Sequence, residues 1–332
     1  MNISKGQFSA SLTVVAISAF AAGLIGANIL EGIEEAQQQT EIHLGQTDLI
    51  NPLLACRPPE DVPFYPQDRI ETHIRKLIEE LKTRHQLQEM SLVFRDLNNG
   101  PSFSINPHAK YSGASLLKVP IMIGYLRKAE ESPDILLEKI VYDPAKHDAT
   151  NHVQLVQPPA PLLPGEDYTT DELMARMITQ SDNSATIMLG TQHPEADVIP
   201  TLQAMGVTLS FVGDDAYISV RDYASIFRIL FNATFLTRKW SNASLHLLSQ
   251  SLFKDGLAAG VPPDIKVAHK FGERSVDTDV QQFHDCGIIY KPKQPYLLCV
   301  MSRGSNLQNL IKSVAEVSAA VYQEVSAPAE RN

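Results

Sequence analysis

Apolar positions in this chain change period several times, and each change marks an element. Between Arg69 and Leu87, Ile70, Ile74, Leu77, Ile78 and Leu81 recur every three or four residues with charges between them, which predicts an amphipathic helix. Ser91 to Leu97 and Ser102 to Ile105 flank Asn98-Asn99-Gly100, a turn composition, so a β-hairpin follows. From Ser115 a dense apolar run through Val119, Ile121, Met122, Ile123, Tyr125 and Leu126 predicts a buried helix, with Pro120 in its first turns, where proline is tolerated. Helices are expected from Thr170 to Leu252, the cleanest stripe running from Asp222 to Phe231. Strands return at Ile265–Phe271, Cys286–Tyr290 and Tyr296–Met301, and Leu307 to Tyr322 reads as a last amphipathic helix. Strands at both ends with helices between them imply an α/β (α+β) domain. One sheet is built from the two termini and a helical subdomain is inserted, with a site expected in the cleft between them.

Upstream the pattern differs. Ser9 to Leu30 is 22 residues without a charge, long enough to cross a bilayer as a helix. Lys5 precedes it, and Glu31, Glu34 and Glu35 follow. The lysine side stays in the cytoplasm, so residues 1–8 are expected as a cytoplasmic tip and 9–30 as a transmembrane anchor. The remainder then lies outside the cytoplasm, in a periplasm or at a cell surface. Ala19-Phe20-Ala21 also offers a cleavage site, and secretion after signal removal is the alternative. Residues 31–65, polar and then proline-punctuated, read as a stalk, leaving a folded domain over 66–325.

Composition narrows the class. The 332 residues are 44% apolar and 20% charged, as in a globular protein, and a formal charge of −10 argues against a nucleic-acid partner. Cys56, Cys286 and Cys299 have no metal-ligand spacing, and neither metal nor other cofactor is expected. Cys286 and Cys299 lie symmetrically about Lys291-Pro292-Lys293-Gln294-Pro295 and are expected to face each other across a hairpin, as a disulfide or as two buried thiols.

Three short motifs carry chemistry. Ser115-Leu116-Leu117-Lys118 puts a serine three residues before a lysine at a helix start, so both share a face and the lysine can serve as base to the serine. A hydrogen bond between Ser115 Oγ and Lys118 is therefore expected. Lys270, ending the strand Ile265–Lys270, supplies a second cation that lowers the pKa of Lys118. Gly272 lets a substrate approach the backbone, and the N–H groups of Ser115 and Glu273 form an oxyanion hole. Ser181 of Ser181-Asp182-Asn183 relays a proton to the leaving group, and Asn183 holds a substrate amide. Ser251-Leu252-Phe253-Lys254 and Lys254-Asp255-Gly256 repeat fragments of the pattern, but no apolar helix follows them.

In sequence context the motifs read Tyr111-Ser-Gly-Ala-Ser115-Leu-Leu-Lys118-Val-Pro120, Met177-Ile-Thr-Gln-Ser181-Asp-Asn183-Ser-Ala185 and His269-Lys270-Phe-Gly272-Glu273. Together with Gly165–Leu173 and Gly260-Val-Pro-Pro263 they resemble the class A β-lactamases and their penicillin-binding relatives, over roughly Arg69 to Tyr322. The resemblance implies a β-lactamase/transpeptidase-like fold, an antiparallel sheet flanked by helices with an all-helical insertion. It also implies an acyl-enzyme on Ser115 and a substrate carboxylate near Lys270.

Two positions depart from the family. Leu209 to Ser219 is shorter than the family's Ω-shaped loop and lacks its deacylating glutamate, leaving Asp214 or Asp215 as possible substitutes. Phe271 stands where the family carries threonine or serine. The expectation is an extracytoplasmic serine hydrolase acylated by β-lactams, with slowed hydrolysis. Alternatives are a D-Ala-D-Ala peptidase or transpeptidase, an esterase of small acyl groups, and, in another class, a non-catalytic envelope module that binds peptide. Partners would be a β-lactam or cell-wall peptide and, through residues 9–30, the membrane.

Overall fold

A computed structural model describes residues 49–51, 67–85, 87–98, 102–149, 154–196, 198–213, 215–275 and 279–327. The expected cytoplasmic tip, anchor and cleavage site lie outside the described residues, as does Asp214. So does the stalk, except at 49–51. There Leu49 and Ile50 are buried in the core, Leu49 N–H donates to Asn242 Oδ1 at 3.2 Å, and Tyr290 Oη donates to Leu49 O at 2.6 Å. A stalk is the wrong description of these three residues: two apolar side chains reach an apolar surface and stay there. Among the described residues no helix is long and apolar enough to cross a membrane.

The central sheet has five antiparallel strands in the order β2-β1-β10-β9-β8. They are β1 (Leu87–Asp96), β2 (Ser102–Ile105), β8 (Val267–Ser275), β9 (Gln281–Ile289) and β10 (Tyr296–Gly304). Helices cover both faces. On one, α1 (Gln67–Arg84) and α9 (Leu307–Ser326) bury Ile70, Ile74, Ile78, Val314 and Val321 against Leu92, Phe94, Leu298 and Val300. On the other, Leu297, Cys299 and Met301 of β10 enter a larger core with α2 (Lys118–Glu131), α4 (Thr170–Thr179), α5 (Asn183–Gln192), α7 (Val220–Asn232) and α8 (Arg238–Ser249). The alternation of β10 between the two cores is the two-residue repeat of a strand. Because both faces are covered, its sequence is nearly all apolar.

Local signals fix the helix starts that matter. Thr169 and Glu172 form a reciprocal capping box on α4. Asp182 caps α5 by accepting the Ala185 N–H at 3.1 Å, and Ser219 caps α7. The stretch from Thr170 to Leu252 is not all helix. It is broken by the hairpin β6 (Ser210–Val212) and β7 (Asp215–Ser219), and β7 pairs with β3 (Lys110–Ser112) just ahead of Ser115. Cys286 and Cys299 are direct cross-strand partners in β9 and β10 and are joined by a disulfide.

Candidate active site

Ser115 heads a single 3-10 turn, Ala114–Leu117, rather than the first turn of an α-helix, and α2 begins only at Lys118. In a 3-10 turn residues three apart eclipse, so Ser115 and Lys118 share a face. Ala114 is held at φ +42° and Ser181 at φ +56°, two non-glycine residues in the left-handed region, where the surroundings must hold the backbone. Around Ala114 those contacts are Gly113 N–H to Ala216 O at 2.8 Å, Leu116 N–H to Gly113 O at 3.0 Å and Tyr223 Oη to Leu116 O at 2.9 Å. Around Ser181, Asp182 receives Arg176 Nε at 2.9 Å, and both side chains are largely buried.

Two lysines meet at one hydroxyl. Lys118 Nζ lies 3.1 Å from Ser181 Oγ and also donates to Ser181 O and Asn183 Oδ1, each at 2.6 Å. From the other side, Lys270 Nζ donates to Ser181 Oγ at 3.0 Å and to Phe271 O at 2.9 Å. Among the described residues Lys118 makes no hydrogen bond to Ser115, and the expected Ser115–Lys118 bond is replaced by contacts to Ser181 and Asn183. Asn183, expected to hold substrate, presents its oxygen to Lys118 instead.

Electrostatics follow from burial. The Lys118 ammonium is pushed well below its ordinary range, first by desolvation and then by the charge of Lys270, while Glu273 and Asp182 act in the opposite sense. Burial lowers Lys270 to about 8, with Glu273 and Asp285 opposing. Lys118 is therefore the group of the pair that more readily becomes a neutral amine, and a neutral amine has a lone pair able to take the proton of a serine hydroxyl.

A cavity of about 570 Å³ opens here, lined by Ser115, Lys118, Asn183, Glu273, Arg274 and Gln281 among others. Gly272 backs it: a Cβ there would lie 3.2 Å from Ser115 N and 3.1 Å from Leu116 N. The close approach explains the glycine and brings β8 against the Ser115 amide at the opening of the 3-10 turn, whereas the Leu116 N–H is taken by Gly113 O. Lys270 does not end its strand as expected. It sits in the middle of β8, fully buried, because that strand continues to Ser275. Phe271 stacks on Phe253 with ring centroids 4.2 Å apart, in the core that α9 covers. Asp215 is ion-paired with Arg274 and does not line the cavity. Leu209 to Ser219 is the β6–β7 hairpin rather than an open loop. Of the two repeated fragments, Ser251 is buried with no partner for its hydroxyl among the described residues, and Lys254 is exposed.

Sequence reasoning missed Arg176, which holds Asp182, and Phe253, which receives Phe271. Both act through tertiary contacts, and neither lies in one of the three motifs that carry the chemistry; Phe253 falls in the repeated fragment Ser251–Lys254.

Comparison with known proteins places this geometry. Residues 69–325 match the model of the beta-lactamase enzyme family. The chain belongs to that family, and as such is a serine hydrolase acting on amide bonds. Among solved structures, PBP-A is 22% identical with a TM-score of 0.66, covering 79% of this chain and 97% of its own. A mutant of PBP-A solved as an acyl-enzyme complex with penicillin-G is 23% identical with a TM-score of 0.65, covering 79% and 98%. A beta-lactamase from Chitinophaga pinensis is 17% identical with a TM-score of 0.65, covering 76% and 98%. No curated protein matches the chain. These structures share the fold: an antiparallel sheet flanked by helices.

Proposed function

We propose that the chain forms an acyl-enzyme on Ser115 with amides of the β-lactam type and releases the acyl group slowly. The observation that carries this reading is the convergence of Lys118 and Lys270 on Ser181 Oγ, at 3.1 and 3.0 Å, in the cavity that Ser115 lines. Neutral Lys118 takes the Ser115 proton as Oγ attacks the carbonyl carbon. The N–H groups of Ser115 and Glu273 receive the oxyanion. The C–N bond breaks, the departing nitrogen takes a proton from Ser181 Oγ, and Lys118 returns one to Ser181. Water then cleaves the ester, restoring the Ser115 hydroxyl.

Slow release is supported by Asp215. Its ion pair with Arg274 and its position off the cavity leave it unsuited to activate water, and the described residues offer no glutamate in the β6–β7 hairpin. A D-Ala-D-Ala peptidase or transpeptidase uses the same groups and is the second reading, favoured by that same lack. We place the domain outside the cytoplasm, tethered through residues 9–30. The uncharged segment supports this, and so does a buried disulfide, which persists in oxidising compartments.

The test is consumption of a chromogenic cephalosporin at millimolar concentration by the native chain and by Ser115→Ala. Native protein should give at most about one equivalent of rapid ring opening, then slow turnover, and Ser115→Ala should give neither. Equal consumption by both proteins would sink the proposal.

A further inference from the structure

A second cavity, of about 310 Å³, lies between α7 and the edge of the central sheet, and none of its residues lines the cavity of Ser115. Two periods build its walls. Along α7, Ala224, Ser225 and Arg228 follow Arg221 by three, four and seven residues, so one flank of the helix carries all four, while Tyr223, Phe227 and Leu230 enter the core. On the sheet, Val93 and Arg95 share a face of β1, and across from them stand Ser104 and Ser102 of the edge strand β2. Two serines are too small to fill the space beside the helix, and the groove stays open.

Three guanidinium groups line this groove and no carboxylate does. Arg95 is half-buried, and Arg221 and Arg228 are exposed. Among the described residues none of the three side chains has an ion-pair or hydrogen-bond partner. The acids next to them in sequence are used elsewhere. Asp96 is buried and accepts the Asn98 N–H at 2.7 Å, and Asp222 takes Lys110 Nζ at 3.2 Å and the Ser219 hydroxyl at 2.6 Å. Arginines in other places are paired: Arg75 with Glu71, Arg84 with Glu316, Arg127 with Glu130, Arg176 with Asp182 and Arg303 with Glu89. The chain has 38 acidic residues against 28 basic ones, so three cations gathered without one acid depart from its own pattern. Like charges held together repel, and an anion between them removes that cost.

We propose that this groove binds the phosphate group of a small ligand. An arginine fork meets two oxygens of an anion at once, and a tetrahedral phosphate offers oxygens to both walls, which a planar carboxylate does not. Ser104 adds a donor, since its hydroxyl has no partner among the described residues. The volume is at the small end of ligand pockets, roughly 300 to 1,000 Å³, and suits a phosphate with a short substituent. This site is independent of the acyl-transfer reading, because it shares no residue with it.

Isothermal titration calorimetry on the full chain in non-ionic detergent, at fixed ionic strength, tests it with pyrophosphate, glycerol 3-phosphate, glycerophosphoglycerol and acetate. Pyrophosphate and glycerol 3-phosphate should saturate one site at least about 10-fold more tightly than acetate. Arg95→Gln and Arg228→Gln should each weaken that binding by about 10-fold or more, and Arg127→Gln, outside the groove, should leave it within about 2-fold. Glycerophosphoglycerol, a phosphodiester, separates the sources: binding within about 3-fold of glycerol 3-phosphate assigns the site to a lipid headgroup, and a larger preference for the monoester assigns it to a free phosphorylated compound. A second measurement needs no variant. Pyrophosphate at saturation should slow phenylglyoxal labelling of Arg95, Arg221 and Arg228 by at least about 10-fold, read by mass spectrometry of the native chain. The proposal is overturned by the absence of saturable binding with either phosphate probe, by acetate binding as tightly, by groove variants that bind like the native chain, or by labelling that pyrophosphate does not slow.

Discussion

Replacing Lys270 with methionine removes one of two cations that converge on Ser181 while keeping an unbranched side chain of similar reach. Both Nζ atoms lie within hydrogen-bond distance of one oxygen, at 3.1 and 3.0 Å, so they are about 6 Å apart at most. At an effective dielectric of about 20, two unit charges at ~6 Å repel by roughly 3 kcal/mol, equivalent to about two pH units on one partner. The charge on Lys270 disfavours the charged form of Lys118, so its loss raises the pKa of Lys118. Acylation needs neutral Lys118, and its rate therefore rises with pH through that pKa. In Lys270→Met the acid limb of the acylation profile should move upward by about 1 to 2 pH units. On that acid limb the rate should drop by about 10- to 100-fold, and it should recover in alkali. The assay is the second-order rate of acylation against pH, read by the appearance of the mass adduct. An acid limb that does not move refutes this division of roles.

Three further outcomes are expected. Gly272→Ala places a Cβ about 3 Å from the Ser115 and Leu116 amides and should slow acylation by about 10- to 100-fold while moving the thermal midpoint by only a few degrees; a normal rate would mean that the Ser115 amide does not receive the oxyanion. Asp182→Asn leaves Arg176 buried without its counter-charge and should cost about 3 kcal/mol in urea unfolding, with slowed acylation because the Ser181 turn loosens; unchanged stability would mean the pair is dispensable. Reducing the Cys286–Cys299 disulfide should lower stability by about 2 to 3 kcal/mol, seen as a shifted denaturation midpoint with and without reductant, and no shift would contradict a bridge in solution.

What the sequence revealed depended on how many faces of an element are wet. The period of α1 is plain because charges fill the face away from Ile70, Ile74 and Ile78. The extent of β8 was hidden because Val267 to Gly272 is buried on both faces, and the polar Glu273-Arg274-Ser275 that continues it looks like a loop. Strands β3, β6 and β7 are three to five residues long, too short for an alternation to register. At the site, the positions of Ser115, Lys118, Ser181 and Lys270 were legible because the spacing of a motif and the order of motifs are sequence properties. The partners were not. That Lys118 reaches Ser181 and Asn183 rather than Ser115, that Phe271 turns to Phe253 and that Asp215 is held by Arg274 all depend on contacts between segments distant in the chain.

The central claim is a nucleophilic Ser115, and intact-mass spectrometry of the full chain with millimolar penicillin addresses it most directly, with Ser115→Ala run in parallel and proteolytic mapping of any adduct. The account predicts a single adduct of the mass of the penicillin on the peptide containing Ser115. It should persist long after free drug is removed and be absent from Ser115→Ala. No adduct at any pH between 6 and 9, or one that forms equally on Ser115→Ala, would contradict it.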